Sequence, residues 1–132
     1  MGSIFTRIAN RELPAHIVAE NEHYLAFLDI NPLVEGHTLV VPKKEVDYIF
    51  DLDDDTLSGL HLFAKEVASA IRQVIPCSRV GVTVIGLEVP HAHVHLIPIE
   101  TMDDMNFSRM KLSLTQDELK VTAEKIKRAF AA

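Results

Sequence analysis

At 132 residues, with 48% apolar and 24% charged side chains, the chain has the size and composition of one folded domain, spanning 1–132 and burying its own core without disulfides. A formal charge of −6 argues against a nucleic-acid polymer as partner, because such binding rests on many Lys and Arg contacts to phosphate; any anionic ligand is therefore small. No apolar run reaches the ~18 residues of a membrane span, no export signal is legible, and the single Cys77 makes no internal bridge, which points to a cytoplasmic protein with no membrane partner.

Ser3 is placed to cap a short opening helix carrying Ile4, Phe5 and Ile8 at helical spacing, with Pro14 closing the segment. Ile17–Glu20 and Tyr24–Asp29 flank the polar Asn21-Glu22-His23 and predict an antiparallel hairpin. After Asn31-Pro32 and Glu35-Gly36, the β-branched run His37–Val41 predicts a third strand, stopped by Pro42. From Asp53 the apolar residues Leu57, Leu60, Ala64, Val67, Ala68, Ile71 and Val74 recur every three or four positions, predicting an amphipathic helix of about five turns that ends before Pro76. Arg79–Ile85 is apolar enough for a strand in the middle of a sheet, and Ala92–Ile97 for a fifth strand. Thr115-Gln116-Asp117-Glu118 has capping-box spacing and opens a last helix through Phe130. Neighbouring strands with helices on one side make an α+β domain.

His91, His93 and His95 alternate with Ala92, Val94 and Leu96. On an extended strand the imidazoles share one face, and the small apolar residues on the other pack against a helix. A row of such rings supplies donors, acceptors and a nucleophile near neutral pH. At ~3.3 Å per residue the outer two lie ~13 Å apart along a straight strand, too far for one metal ion that needs each nitrogen within ~2.1 Å, whereas a phosphate chain suits a row. No Cys-x-x-Cys pair or His-Glu helix motif completes a zinc site, so no metal and no cofactor are expected.

The run His91-Ala92-His93-Val94-His95-Leu96-Ile97 resembles the signature of the histidine triad (HIT) superfamily, a histidine alternating with apolar residues. Ser3–Pro14, Ala26–Pro32 and Gly36–Lys44 are similar to that family's N-terminal blocks in the same order, so nearly the whole chain is covered. The resemblance implies a five-stranded antiparallel sheet with helices, paired as a homodimer that continues the sheet. It also implies a nucleotide hydrolase or nucleotidyl transferase acting at the α-phosphorus of nucleoside phosphoramidates or of nucleoside and dinucleoside polyphosphates. His93 would attack to give a nucleotidyl-histidine, His95 would bind phosphate oxygens, and His91 and His37 would orient the cluster. Phe5, Ile8, Leu13, Phe27 and Ile30 match positions that enclose base and ribose, and Asp29 a carboxylate for the ribose hydroxyls. Read from the residues alone, Phe5, Ile8 and Leu13 would be core, and Asp29 could be a solvated turn residue.

The chain departs from the family pattern at Leu87 and Glu88, where Gln and a hydroxyl residue are frequent, and at Glu45, where a histidine often stands. Glu88 either replaces the hydroxyl as a proton donor at the nucleotide or faces solvent. His16, His23 and His61 lie outside the blocks and read as surface or boundary residues; Lys43 and Lys44 read as a solvated turn. Two alternatives stay open: a metal-dependent hydrolase built on the same histidines, and a nucleotide-binding regulator or adaptor without turnover.

Overall fold

The computed structural model describes residues 2–132. In chain order it contains α1 (Ile4–Ala9), β1 (Ile17–Glu20), β2 (Tyr24–Leu28), β3 (Thr38–Pro42), α2 (Asp54–Val74), β4 (Arg79–Thr83), β5 (Val94–Ile99) and α3 (Gln116–Ala131). The strands form one antiparallel sheet in the order β1-β2-β3-β5-β4. This is the expected α+β class with five antiparallel strands.

Each local device follows from its residues. The Ser3 hydroxyl accepts the Thr6 amide hydrogen and caps α1. Asn21 Oδ1 takes the amides of His23 and Tyr24, an Asx turn that closes the β1–β2 hairpin. Proline at 76 pushes Ile75 into extended geometry, with φ −109° and ψ 118°, and so ends α2. Thr115 and Glu118 exchange hydrogen bonds with each other's backbone at the start of α3.

The period of two divides the sheet cleanly. Val18, Ala26, Leu28, Val40, Val94 and Leu96 pack under α2 and α3 with Leu60, Phe63, Val67, Ile71, Leu119 and Ile126. Leu25, Phe27, Leu39 and Val41 turn to the opposite face, where Phe5 and Ile8 of α1 cover them. His93 and His95 also belong to that second face, because Val94 and Leu96 occupy the first.

Several expectations are corrected. The helices do not share one side: α2 and α3 pack on one face, and α1 packs on the face carrying the histidines, where its few apolar residues cover only part of the sheet. β4 is not central but forms an edge paired only with β5, and its Val82 is 56% exposed. Val80 and Val84 pack on the helix layer, but Val82, paired with Leu96 on that same face, stays exposed at the sheet edge, so an apolar run did not mean a buried central strand. β4 also stops at Thr83, short of Gly86, whose φ of 77° is outside the range of strands. β5 begins at Val94, two residues late, because His91 bonds back to the Val89 carbonyl and Ala92 to that of Val46, which is not a ladder partner. β3 is shifted by one residue and includes Pro42, and α2 has 21 residues, nearly six turns.

Leu60 is fully buried between α2 and the sheet. Leu60→Ala is expected to cost about 2–5 kcal/mol and Thr115→Ala about 1 kcal/mol in urea unfolding. Equal costs at the two positions would contradict this placement of the core.

Candidate active site

A cleft of about 600 Å³ opens on the α1 face of the sheet. Phe5, Ile8, Leu13, Phe27 and Leu39 line its apolar end, and His93, His95, Asp29, Asn31, Glu88 and Lys111 its polar end. The volume lies within the ~300–1,000 Å³ typical of small-molecule sites. Ile30 also lines the cleft, 58% exposed at the rim, as does the exposed Leu87. The structure thus brings together Asp29, Ile30, Phe27, Phe5, Ile8, Leu13, Glu88, His93 and His95.

The row of histidines is not uniformly open. His91 is fully buried and does not line the cleft, because residues 89–93 turn before β5 begins. Its Nε2–H donates to the Pro42 carbonyl at 2.7 Å, and its Nδ1 accepts the Ser3 hydroxyl at 2.7 Å. His37 is equally buried, one residue before β3. Gly36 makes the turn that places it: φ is 92°, and a Cβ there would meet Ile75 Cγ1 at 3.1 Å.

Backbone groups determine where each imidazole keeps its proton. The Leu33 amide donates to His37 Nδ1 at 3.0 Å, so the neutral ring carries hydrogen on Nε2. That Nε2–H donates to His95 Nδ1 at 2.9 Å, which leaves the hydrogen of His95 on Nε2. His93 Nδ1–H donates to the His91 carbonyl at 2.7 Å and leaves a lone pair on Nε2. Two adjacent rings, with centroids 5.0 Å apart, therefore offer opposite functions: a lone pair on His93 and an N–H on His95. Burial holds His37 down to about 3 and His95 to about 4, and it lowers His91 as well. Desolvation raises the Asp29 carboxyl, against the pull of the Asn31 amide on its Oδ1 at 2.8 Å.

Asp29, His37 and His95 each bring a possible ligand atom within 4.8 Å of the other two. The tautomers do not fit a metal there. An ion would need lone pairs on both His37 Nε2 and His95 Nδ1, and the first carries a proton as long as Leu33 donates to the opposite nitrogen.

Sequence reasoning missed Phe107 and left Arg109 and Lys111 unplaced. Phe107 stands edge-on to His95 with centroids 4.9 Å apart and to His37 at 6.1 Å. Arg109 ties this segment down by donating to the Leu33 carbonyl at 2.8 Å while pairing with Asp103 and Asp104. Lys111 Nζ donates to the Phe107 carbonyl and lines the cleft. The only hint in the sequence was the acidic pair five and six residues before Arg109. Glu88 does line the cleft, though exposed. Lys43 and Lys44 pair with Glu20 and Asp53 instead of facing the cleft. His23 and His61 are exposed, and half-buried His16 meets Gln116.

The model of the HIT domain matches residues 10–102. An uncharacterised HIT-like protein of Borreliella burgdorferi is 36% identical over 125 residues, covering 89% of this chain and 90% of that one. The adenosine 5′-monophosphoramidase of Saccharomyces cerevisiae is 34% identical over 96 residues, 72% of this chain and 61% of its own length. Among solved structures, a hypothetical histidine triad nucleotide-binding protein from Sulfolobus tokodaii superimposes with a TM-score of 0.82 at 30% identity, covering 96% of this chain and 91% of that one.

The buried rings couple stability to pH. Below about pH 6.5 the unfolded chain binds protons that the folded His37 and His95 refuse, so stability falls as pH drops from about 6.5 toward about 4. Each ring contributes up to about 1.4 kcal/mol per pH unit, and Asp29, with its raised pKa, opposes the slope at the acid end. Urea unfolding at pH 7 and pH 5 reads this directly; a flat profile would contradict neutral burial of the two rings.

Proposed function

This chain belongs to the HIT domain family, and on that premise we propose that it is a nucleotide hydrolase or nucleotidyl transferase acting at the α-phosphorus. The observation that carries the reading is the pair of opposed tautomers, His93 with a free Nε2 and His95 with a free N–H, at the polar end of an apolar cleft. The name of the yeast relative, an adenosine 5′-monophosphoramidase, favours nucleoside phosphoramidates as substrates, with nucleoside and dinucleoside polyphosphates as the other class.

In this mechanism the base and ribose lie among Phe5, Ile8, Leu13, Phe27 and Ile30, with the ribose hydroxyls on Asp29. The His93 Nε2 lone pair attacks phosphorus; a P–N bond forms and the bond to the leaving group breaks. Positive charge grows on the ring and is met through Nδ1–H by the His91 carbonyl. The His95 N–H supports the negative phosphoryl oxygens, while His37 holds His95 in the donor tautomer. Water or another acceptor then attacks the nucleotidyl-histidine, breaks the P–N bond and restores the ring. In this mechanism Glu88, which lines the cleft, acts on the leaving group or its proton.

His93→Ala should lower turnover of adenosine 5′-phosphoramidate by at least ~10⁴-fold and abolish the labelled covalent species trapped by acid quench, with wild-type activity surviving chelator. Undiminished activity in the variant removes His93 from the chemistry, and chelator sensitivity favours the metal-dependent alternative.

We further propose a homodimer in which β4 of two copies pair across the open edge. Support comes from the edge position of β4 and from its exposed Val82. Analytical ultracentrifugation should return twice the 14.8 kDa chain mass; a charged replacement, Val82→Lys, should shift the protein toward monomer. A wild type that sediments as a monomer refutes this assembly.

A further inference from the structure

The first imidazole of the run takes no part in the cleft, yet it is clamped at both nitrogens, and one clamp comes from the opposite end of the chain. Ser3 Oγ lies 2.7 Å from His91 Nδ1, a nitrogen that must accept because Nε2 already gives its hydrogen to Pro42. Thr6 Oγ1 is also near, at 3.4 Å, but its one hydrogen goes to Glu45 Oε1 at 2.6 Å. The Ser3 hydroxyl accepts the Thr6 amide, and of the two acceptors near its own hydrogen, Thr6 Oγ1 at 3.4 Å and His91 Nδ1 at 2.7 Å, the ring is much the closer.

Glu45 holds this arrangement from outside: the same Oε1 accepts the Ser3 amide at 2.6 Å. The approach is so close that a Cβ on Gly2 would fall 2.9 Å from that oxygen and 2.6 Å from Thr6 Cγ2. Phe5, at the second position of the helix that Ser3 caps, stands edge-on to both His91 and His93, with centroids 5.7 and 5.0 Å away. The His91 carbonyl in turn fixes the His93 proton on Nδ1.

We propose that Ser3, held by Glu45, is a positioning residue: its hydroxyl pins His91 so that the His91 carbonyl keeps His93 in the single tautomer with a free Nε2. The proposal rests on the reading of His93 as the nucleophile. Capping alone does not account for the geometry, since a cap needs only an acceptor at Ser3, whereas His91 uses its hydrogen.

The discriminating variant is Ser3→Gly, because glycine is a tolerable N-cap that lacks the hydroxyl. With adenosine 5′-phosphoramidate, kcat should fall about tenfold or more while KM stays within about threefold. The ring ¹⁵N spectrum of His93 should show both tautomers in place of one, and Ser3→Thr should restore both readouts. Glu45→Ala, at an exposed site, should move them in the same direction by a smaller factor. Wild-type kcat with an unchanged His93 spectrum in folded Ser3→Gly overturns the proposal, as does a loss confined to KM. If the wild-type protein does not turn the phosphoramidate over, the proposed reaction fails, and the His93 spectrum still decides the positioning role.

Discussion

The Leu33 amide and the His91 carbonyl each hold one nitrogen of a buried imidazole, and through those two bonds the polypeptide decides which ring nitrogens face the cleft. A free imidazole in water exchanges between tautomers; here the choice is made before any ligand arrives. The cost is burial of polar rings, which is tolerated because each ring is hydrogen-bonded and burial keeps His37 and His95 neutral. Everything near the cleft serves this arrangement: Gly36 turns His37 inward, Arg109 fixes the Leu33 segment from behind, and Phe107 closes over His37 and His95.

The two faces of the sheet divide the labour. One supplies stability through α2 and α3, with a continuous apolar layer from Val18 to Ile126. The other face is only partly covered, by a helix of six residues, and the uncovered part is the cleft. A short helix with few intrahelical bonds is a weak structure in isolation. Its cap therefore depends on distant partners, Glu45 and His91, so the roof of the apolar end and the proposed reaction centre are held by the same few bonds.

Much of this was legible in the sequence wherever a periodic pattern or a local motif spoke. The order and type of the five strands and three α-helices, the capping box at Thr115 and the gathering of Phe5, Ile8, Leu13, Phe27, Asp29 and Ile30 around His93 and His95 follow the reading. Contacts between distant segments were not legible. That His91 leaves the row depends on Val46 and Val89 carbonyls that no short-range rule supplies. Phe107 and Arg109 sit in an irregular stretch whose only information is pairing with Leu33, far away in the chain. The apolar composition of β4 was true of one face and silent about the order of strands.

The alternation around Val94 has a consequence for how the gene can change. Because neighbours along β5 serve opposite sides of the sheet, adding or deleting one codon between those of His93 and His95 would exchange the roles of everything beyond it. The His95 imidazole would be driven into the oily layer and an apolar neighbour would take its place, so the frame of this short stretch is held by two independent requirements. Point substitutions there can be graded in effect, whereas length changes cannot.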